Sequence, residues 1–136
     1  VSGIDACLLE AMTLPGARGA ALVEWISGLA LGKVGEAPDG DHEAMAAQTA
    51  DFARAAAEHP VFAGPQAAAE AEAAGDKGPL VEDVVVVTRT GYHLLRFVEA
   101  PYEGGVFLHL WLDRAQGNLA LALIRLRDLA EGLVLA

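Results

Sequence analysis

The sequence predicts an α+β domain on one five-stranded antiparallel sheet, with its elements in the order α-β-β-α-β-β-β-α. Three observations carry this. Five short stretches are rich in strand-forming apolar residues and are bounded by turn residues. Three longer stretches repeat apolar residues at helical spacing. Consecutive strands joined by short turns must pair antiparallel, and helices before, between and after them must cover the faces of the sheet. A chain of 136 residues fits a single domain over residues 1–136.

Residues 2–13 predict a helix. Ser2 and Asp5 stand at capping-box spacing, Ile4, Leu8 and Ala11 make an apolar stripe, and Pro15-Gly16 ends it. Residues 18–26 predict a strand, Ser27-Gly28 a hairpin turn, and 29–35 the return strand. Two glycines weaken that second strand and suit a sheet edge. Asp41 is placed to cap a helix over 42–59, in which Met45, Thr49, Phe52 and Ala56 share a face, and Pro60 closes it. The opposite face is alanine-rich rather than polar, which suits a helix with neighbours on two sides.

Residues 63–79 are low in complexity and read as an insertion or linker, with alanine and glutamate favouring helix only over 66–74. Residues 83–89 hold four consecutive valines, Val84, Val85, Val86 and Val87, a pattern of burial on both faces. Residues 92–98 and 106–113 predict a hairpin, with Pro101 and Gly104-Gly105 in its loop. Alternation puts Leu94, Arg96 and Val98 on one face with Val106, Leu108, Leu110 and Leu112. His93, Leu95, Phe97, Phe107, His109 and Trp111 take the other. The first face fits beneath the terminal helices and the second beneath the middle helix or a partner. Residues 118–134 predict the last helix, capped by Asn118 or Asp113.

Net charge is −10, and the excess is concentrated in residues 1–78, where twelve acids meet four bases. A chain this acidic, without a basic stripe, is a poor ligand for nucleic acid or an anionic membrane and better suited to a basic protein surface. No segment approaches the roughly 18 uninterrupted apolar residues of a membrane helix. Residues 1–15 hold Asp5 and Glu10 and no base, unlike a signal peptide, so the expected location is cytoplasmic.

No nucleophile elbow, zinc-protease pair, phosphate loop or Cys-x-x-Cys is present, so no catalytic residue, cofactor or metal is assigned. The single cysteine, Cys7, lies on an apolar stripe and reads as a buried thiol. His93 and His109 lie on adjacent strands, with only Asp113 as a further ligand on the same strand; packing against Trp111 and Phe107 is their expected role. His59 suits the C-terminus of the middle helix, and Arg125 and Arg127 a solvated face. The valine strand admits two readings. At a sheet edge its backbone invites another chain, and with the helix carrying Met45 and Phe52 it would form an interface; inside one monomer it is simply buried.

Three stretches, 16–33 (GARGAALVEWISGLALGK), 90–97 (TGYHLLRF) and 105–129 (GVFLHLWLDRAQGNLALALIRLRDL), resemble the roadblock/LC7 family, above all its bacterial members that accompany small GTPases. The resemblance covers most of the chain outside 60–80. It implies a profilin-like sheet between one middle helix and two terminal helices, and a homodimer formed through the middle helices and third strands. Carried onto this chain, that interface comprises Met45, Thr49, Phe52, Ala56, Val84, Val85, Val86 and Val87. It implies a non-enzymatic scaffold or regulator, with a second copy and a small Ras-like GTPase as partners and a sensor kinase as a further candidate. Two features depart from the family: the linker at 63–79 is longer and richer in alanine, and the first hairpin runs Glu24-Trp25-Ile26-Ser27-Gly28 where the family commonly has an acidic residue close to the turn glycine. A second reading is a small-ligand sensor of profilin- or PAS-like architecture, with His93, His109 and Trp111 lining its pocket.

Overall fold

A computed structural model describes residues 3–75, 79–98 and 105–133. Its elements are α1 (Ile4–Ala11), β1 (Ala17–Glu24), β2 (Leu29–Gly35), α2 (His42–Glu58), α3 (Pro60–Ala73), β3 (Asp83–Val87), β4 (Gly91–Val98), β5 (Val106–Asp113) and α4 (Leu119–Gly132). The five strands form one antiparallel sheet in the order β2-β1-β5-β4-β3. This is the expected α+β class and element order, with one helix, α3, added after α2.

Strand alternation divides the core in two, as the residue pattern anticipates. Val98 pairs with Val106, Arg96 with Leu108 and Leu94 with Leu110, while His93 pairs with Trp111 and Phe97 with Phe107. On the first face, Ala20, Leu22, Leu94, Leu108, Leu110 and Leu112 pack under Cys7, Leu8 and Ala11 of α1 and Ala122, Leu126 and Ala130 of α4. Each leucine buried there contributes roughly 1.5–3 kcal/mol. On the second face, Ala21, Val23, Leu95, Phe97 and Phe107 pack under Ala46, Ala50 and Ala53. Alanines at these positions let α2 approach the sheet closely.

The helix ends follow their residues. Asp41 Oδ1 accepts from the backbone N–H groups of Glu43 and Ala44 and starts α2. Asn118 Oδ1 accepts from Leu121 N–H and starts α4, while Asp113 Oδ2 closes the preceding turn by accepting from Ala115 and Gln116. The two residues offered as alternative caps therefore serve successive turns. At α1 the capping-box expectation is not met: Gly3 holds the cap position without a side-chain bond, and Ser2 lies outside the described residues.

The segment 63–79, expected as a linker, contains most of α3. Pro60 stops α2 yet opens α3, because a proline at the first helical position lacks only an N–H that would be unused there. Gly64, at φ 77°, breaks α3, and the helix resumes at Pro65, close to the 66–74 expected from alanine and glutamate. Residues 76–78, and 99–104 of the predicted hairpin loop, lie outside the described residues.

Residues 83–89 give the clearest correction. Burial on both faces was expected, but Val85 is 36% and Val87 52% exposed, and Val84 and Val86 are only half-buried. The strand lies at the sheet edge with β4 as its one strand neighbour among the described residues. Flanking strands supply much of the burial of a central strand, and an edge has only one.

Candidate functional site: the α2 face and the β3 edge

Helix α2 is anchored toward one side of the sheet. Lys33 Nζ on β2 meets Glu43 at 2.9 Å, and His42 Nε2 donates to the Gly35 carbonyl at 2.9 Å. Arg54 Nη1 donates to the carbonyls of Trp25 and Ile26, each at 3.4 Å, and Nη2 binds Asp51 at 3.0 Å. At Gly28 in the β1–β2 turn, an added Cβ would stand 3.4 Å from the Ala47 Cα. The Lys33, His42 and Gly28 contacts and the bonds from Arg54 Nη1 hold α2 over β1, β2 and their turn, while Asp51 braces Arg54 from within the helix. On the same face at the far side of the sheet, Val84, Val86 and His93 remain half-exposed.

The four α2 residues expected to share one face differ in exposure. Phe52 is 45% exposed, Thr49 and Ala56 are half-buried, and Met45 is buried. Thr49 Oγ1 donates to the Met45 carbonyl at 2.8 Å, so its hydroxyl is satisfied within the helix.

The β3 edge is held ready at both ends. Arg96 Nη1 binds Asp83 at 2.8 Å and Glu82 at 3.4 Å. Arg114 Nη1 donates to the Thr88 carbonyl at 2.7 Å. Phe97 N–H bonds the Glu82 carbonyl and Thr88 N–H the Gly91 carbonyl, which sets the phase of the ladder. Residues 82, 84, 86 and 88 thus exchange bonds with β4, and the backbone groups of Asp83, Val85 and Val87 point to the open edge. The valine pattern disclosed the strand; the role of Arg96, Arg114 and Arg54 in positioning it and α2 was not visible, because each reaches across elements distant in sequence.

The histidines pack on each other. His93 Nδ1 lies 2.8 Å from His109 Nε2, and the His93 ring stacks on Trp111, whose other neighbour is the Arg18 guanidinium at 4.0 Å from the ring centre. Burial, and then the neighbouring imidazoles of His93 and His42, push the His109 pKa down to about 3. Burial also lowers that of His93. Among the described residues no group of three or more His, Cys, Asp or Glu side chains is arranged to hold a metal, and the Asp113 carboxylate is occupied by its turn. Cys7 is buried, with its thiol pKa raised by burial and then by Glu10. An open cleft of about 300 Å³ lies between the β1–β2 turn and α2, bordered by Trp25, Ile26, Gln48 and Arg54; His93, His109 and Trp111 do not line it.

The sheet, its single α2 cover and its paired terminal helices are the roadblock/LC7 architecture. Over nearly its whole length the chain matches solved structures of that kind. Myxococcus xanthus MglB superposes with a TM-score of 0.68 at 16% identity, covering 94% of this chain and 82% of that one. A roadblock/LC7 domain from Streptomyces avermitilis gives 0.67 at 19%, covering 96% and 94%. Myxococcus xanthus MglC gives 0.55 at 18%, covering 95% and 94%. These similarities establish the fold. No family model matches the sequence, and no curated protein matches it. No helix among the described residues is long and apolar enough to cross a membrane.

Proposed function

We propose that this protein is a non-enzymatic, homodimeric scaffold that binds a small Ras-like GTPase in the cytoplasm and modulates its nucleotide state or its localisation. The observation that carries the dimer is the half-covered second face of the sheet beside the open β3 edge. A second copy satisfies both at once. Its β3 pairs with this β3, making one ten-stranded sheet, and its α2 settles over Val84, Val86 and His93 against Phe52, Thr49 and Ala56. Because Asp83, Val85 and Val87 offer the free backbone groups, a two-fold axis through Val85 pairs Asp83 with the second copy's Val87 and Val85 with itself. Such an interface is isologous and closes after two copies.

The GTPase partner rests on the fold shared with MglB and MglC and on the stretches that resemble GTPase-associated roadblock domains. Regulation would then follow from differential affinity for the GDP- and GTP-bound forms, since a ligand shifts an equilibrium only by that difference. The test is calorimetric titration of the intact protein with purified small Ras-like GTPases from its source cell, each loaded with GDP or a non-hydrolysable GTP analogue. Saturable binding stronger in one state supports the reading. No binding by any of them in either state overturns it.

A further inference from the structure

Among the described residues, no α3 side chain joins either core cluster. None of its described side chains is buried, and Val61 and Phe62 are 79% and 67% exposed, the highest values of any large apolar residues described. Among the described residues its side chains make one hydrogen bond, Gln66 to Glu70, within the helix itself. The part beyond the Gly64 break is nine residues long, and a helix of that length is marginal in water without a packing partner.

Charge decides what that partner is. Residues 55–75 contain Glu58, Glu70 and Glu72 and no Lys or Arg. Nucleic acids and anionic membranes are repelled by these acids. Apolar anchors flanked by acids complement a protein surface with an apolar socket rimmed by Lys and Arg. We infer that α3 is a docking arm for such a basic protein partner, engaged through Val61 and Phe62 and steered by Glu58, Glu70 and Glu72.

The probe is a fluorescent amphipathic helical peptide built of Leu and Lys, with a Leu/Glu twin of the same pattern, titrated into the intact protein and followed by anisotropy at low and physiological salt. The Leu/Lys peptide binds, more weakly as salt rises, and the Leu/Glu twin does not. Phe62→Ser, and separately Glu70→Lys with Glu72→Lys, weaken binding by about fivefold or more. Asp128→Lys with Glu131→Lys makes the same charge change on the exposed side of α4 and leaves affinity within about twofold. Equal loss in the α4 variant would reveal a bulk charge effect and overturn the inference, as would unchanged binding by Phe62→Ser. Mass by light scattering separates the remaining occupant: Phe62→Ser keeps the mass of the unsubstituted protein. A fall in mass would show that a second copy covers α3. No GTPase enters this experiment, so its failure is distinct from failure of the GTPase reading.

Discussion

The Arg96 guanidinium lies 2.8 Å from the Asp83 carboxylate, joining directly paired residues of β4 and the edge strand β3. Both side chains are largely covered, which separates this pair from the exposed Lys33–Glu43 contact. Asp83→Asn removes the charge partner while Glu82 remains a weaker one at 3.4 Å. The expected cost is about 2 kcal/mol, the scale of a hydrogen bond to a charged group. Urea unfolding measures it; a loss no larger than that of Glu43→Gln would show that the pair is not holding the edge.

His109 predicts an acid-labile fold. Its imidazole is buried and stays neutral down to about pH 3 when folded, but takes up a proton near 6.5 when unfolded. The unfolded state therefore binds more protons between those values. The stability His109 contributes is fully present above about pH 6.5 and is lost as pH falls toward 3. His109→Gln keeps a hydrogen-bonding group beside His93 and removes the titration. The stability difference between the original protein and this variant should shrink by about 1.4 kcal/mol per pH unit below pH 6. Parallel stability curves from pH 7.5 to 4.5 would contradict the assignment.

Much of this arrangement was legible in the residues, and the reason is local chemistry. The β4–β5 register could be read because one face alternates leucine and valine while the other carries histidines, Phe97 and Trp111. Asp41 and Pro60 bracket α2 by capping and by the missing proline N–H. The strand order was not legible. It depends on β1 pairing with β5, contacts between residues such as Leu22 and Leu108 that no nearby pattern encodes. The exposure of Val85 and Val87 follows from that order, so four valines in a row read as a buried strand. The α3 break was hidden for another reason: Gly64 adopts φ 77°, a conformation that glycine permits but does not demand.

Gly16 should tolerate no side chain. It sits at φ 76°, and an added Cβ would lie 2.6 Å from the Gly117 backbone nitrogen, where the chain leaving α1 crosses the approach to α4. Gly16→Ala is expected to cost about 2 kcal/mol or more. Gly132→Ala, in the last turn of α4 with open space around it, should be neutral or stabilising by up to about 1 kcal/mol. Thermal melts of the two variants compare them directly, and equal effects would show that the Gly16 crossing is looser than described.

The α2 side of the proposed dimer interface has its own test. Phe52 is half-exposed in the single chain, so Phe52→Asp should fold with an unchanged far-ultraviolet spectrum yet disfavour association by several kcal/mol through burial of a charge. Analytical ultracentrifugation over a concentration series reads the shift toward monomer. An association constant equal to that of the unsubstituted protein would place Phe52 outside the interface.

The most direct test of the central claim is the mass of the intact protein by light scattering, set beside Val85→Pro and Val84→Pro. The Val85 N–H faces the open edge, so proline there removes a donor that only a second copy would use, and edge strands accept proline. Val84→Pro instead breaks the ladder to β4 and should destabilise the fold. The account predicts twice the 14.1 kDa chain mass for the unsubstituted protein and a folded species of single mass for Val85→Pro. An unsubstituted protein of single mass, or a Val85→Pro variant that keeps the doubled mass, would contradict it.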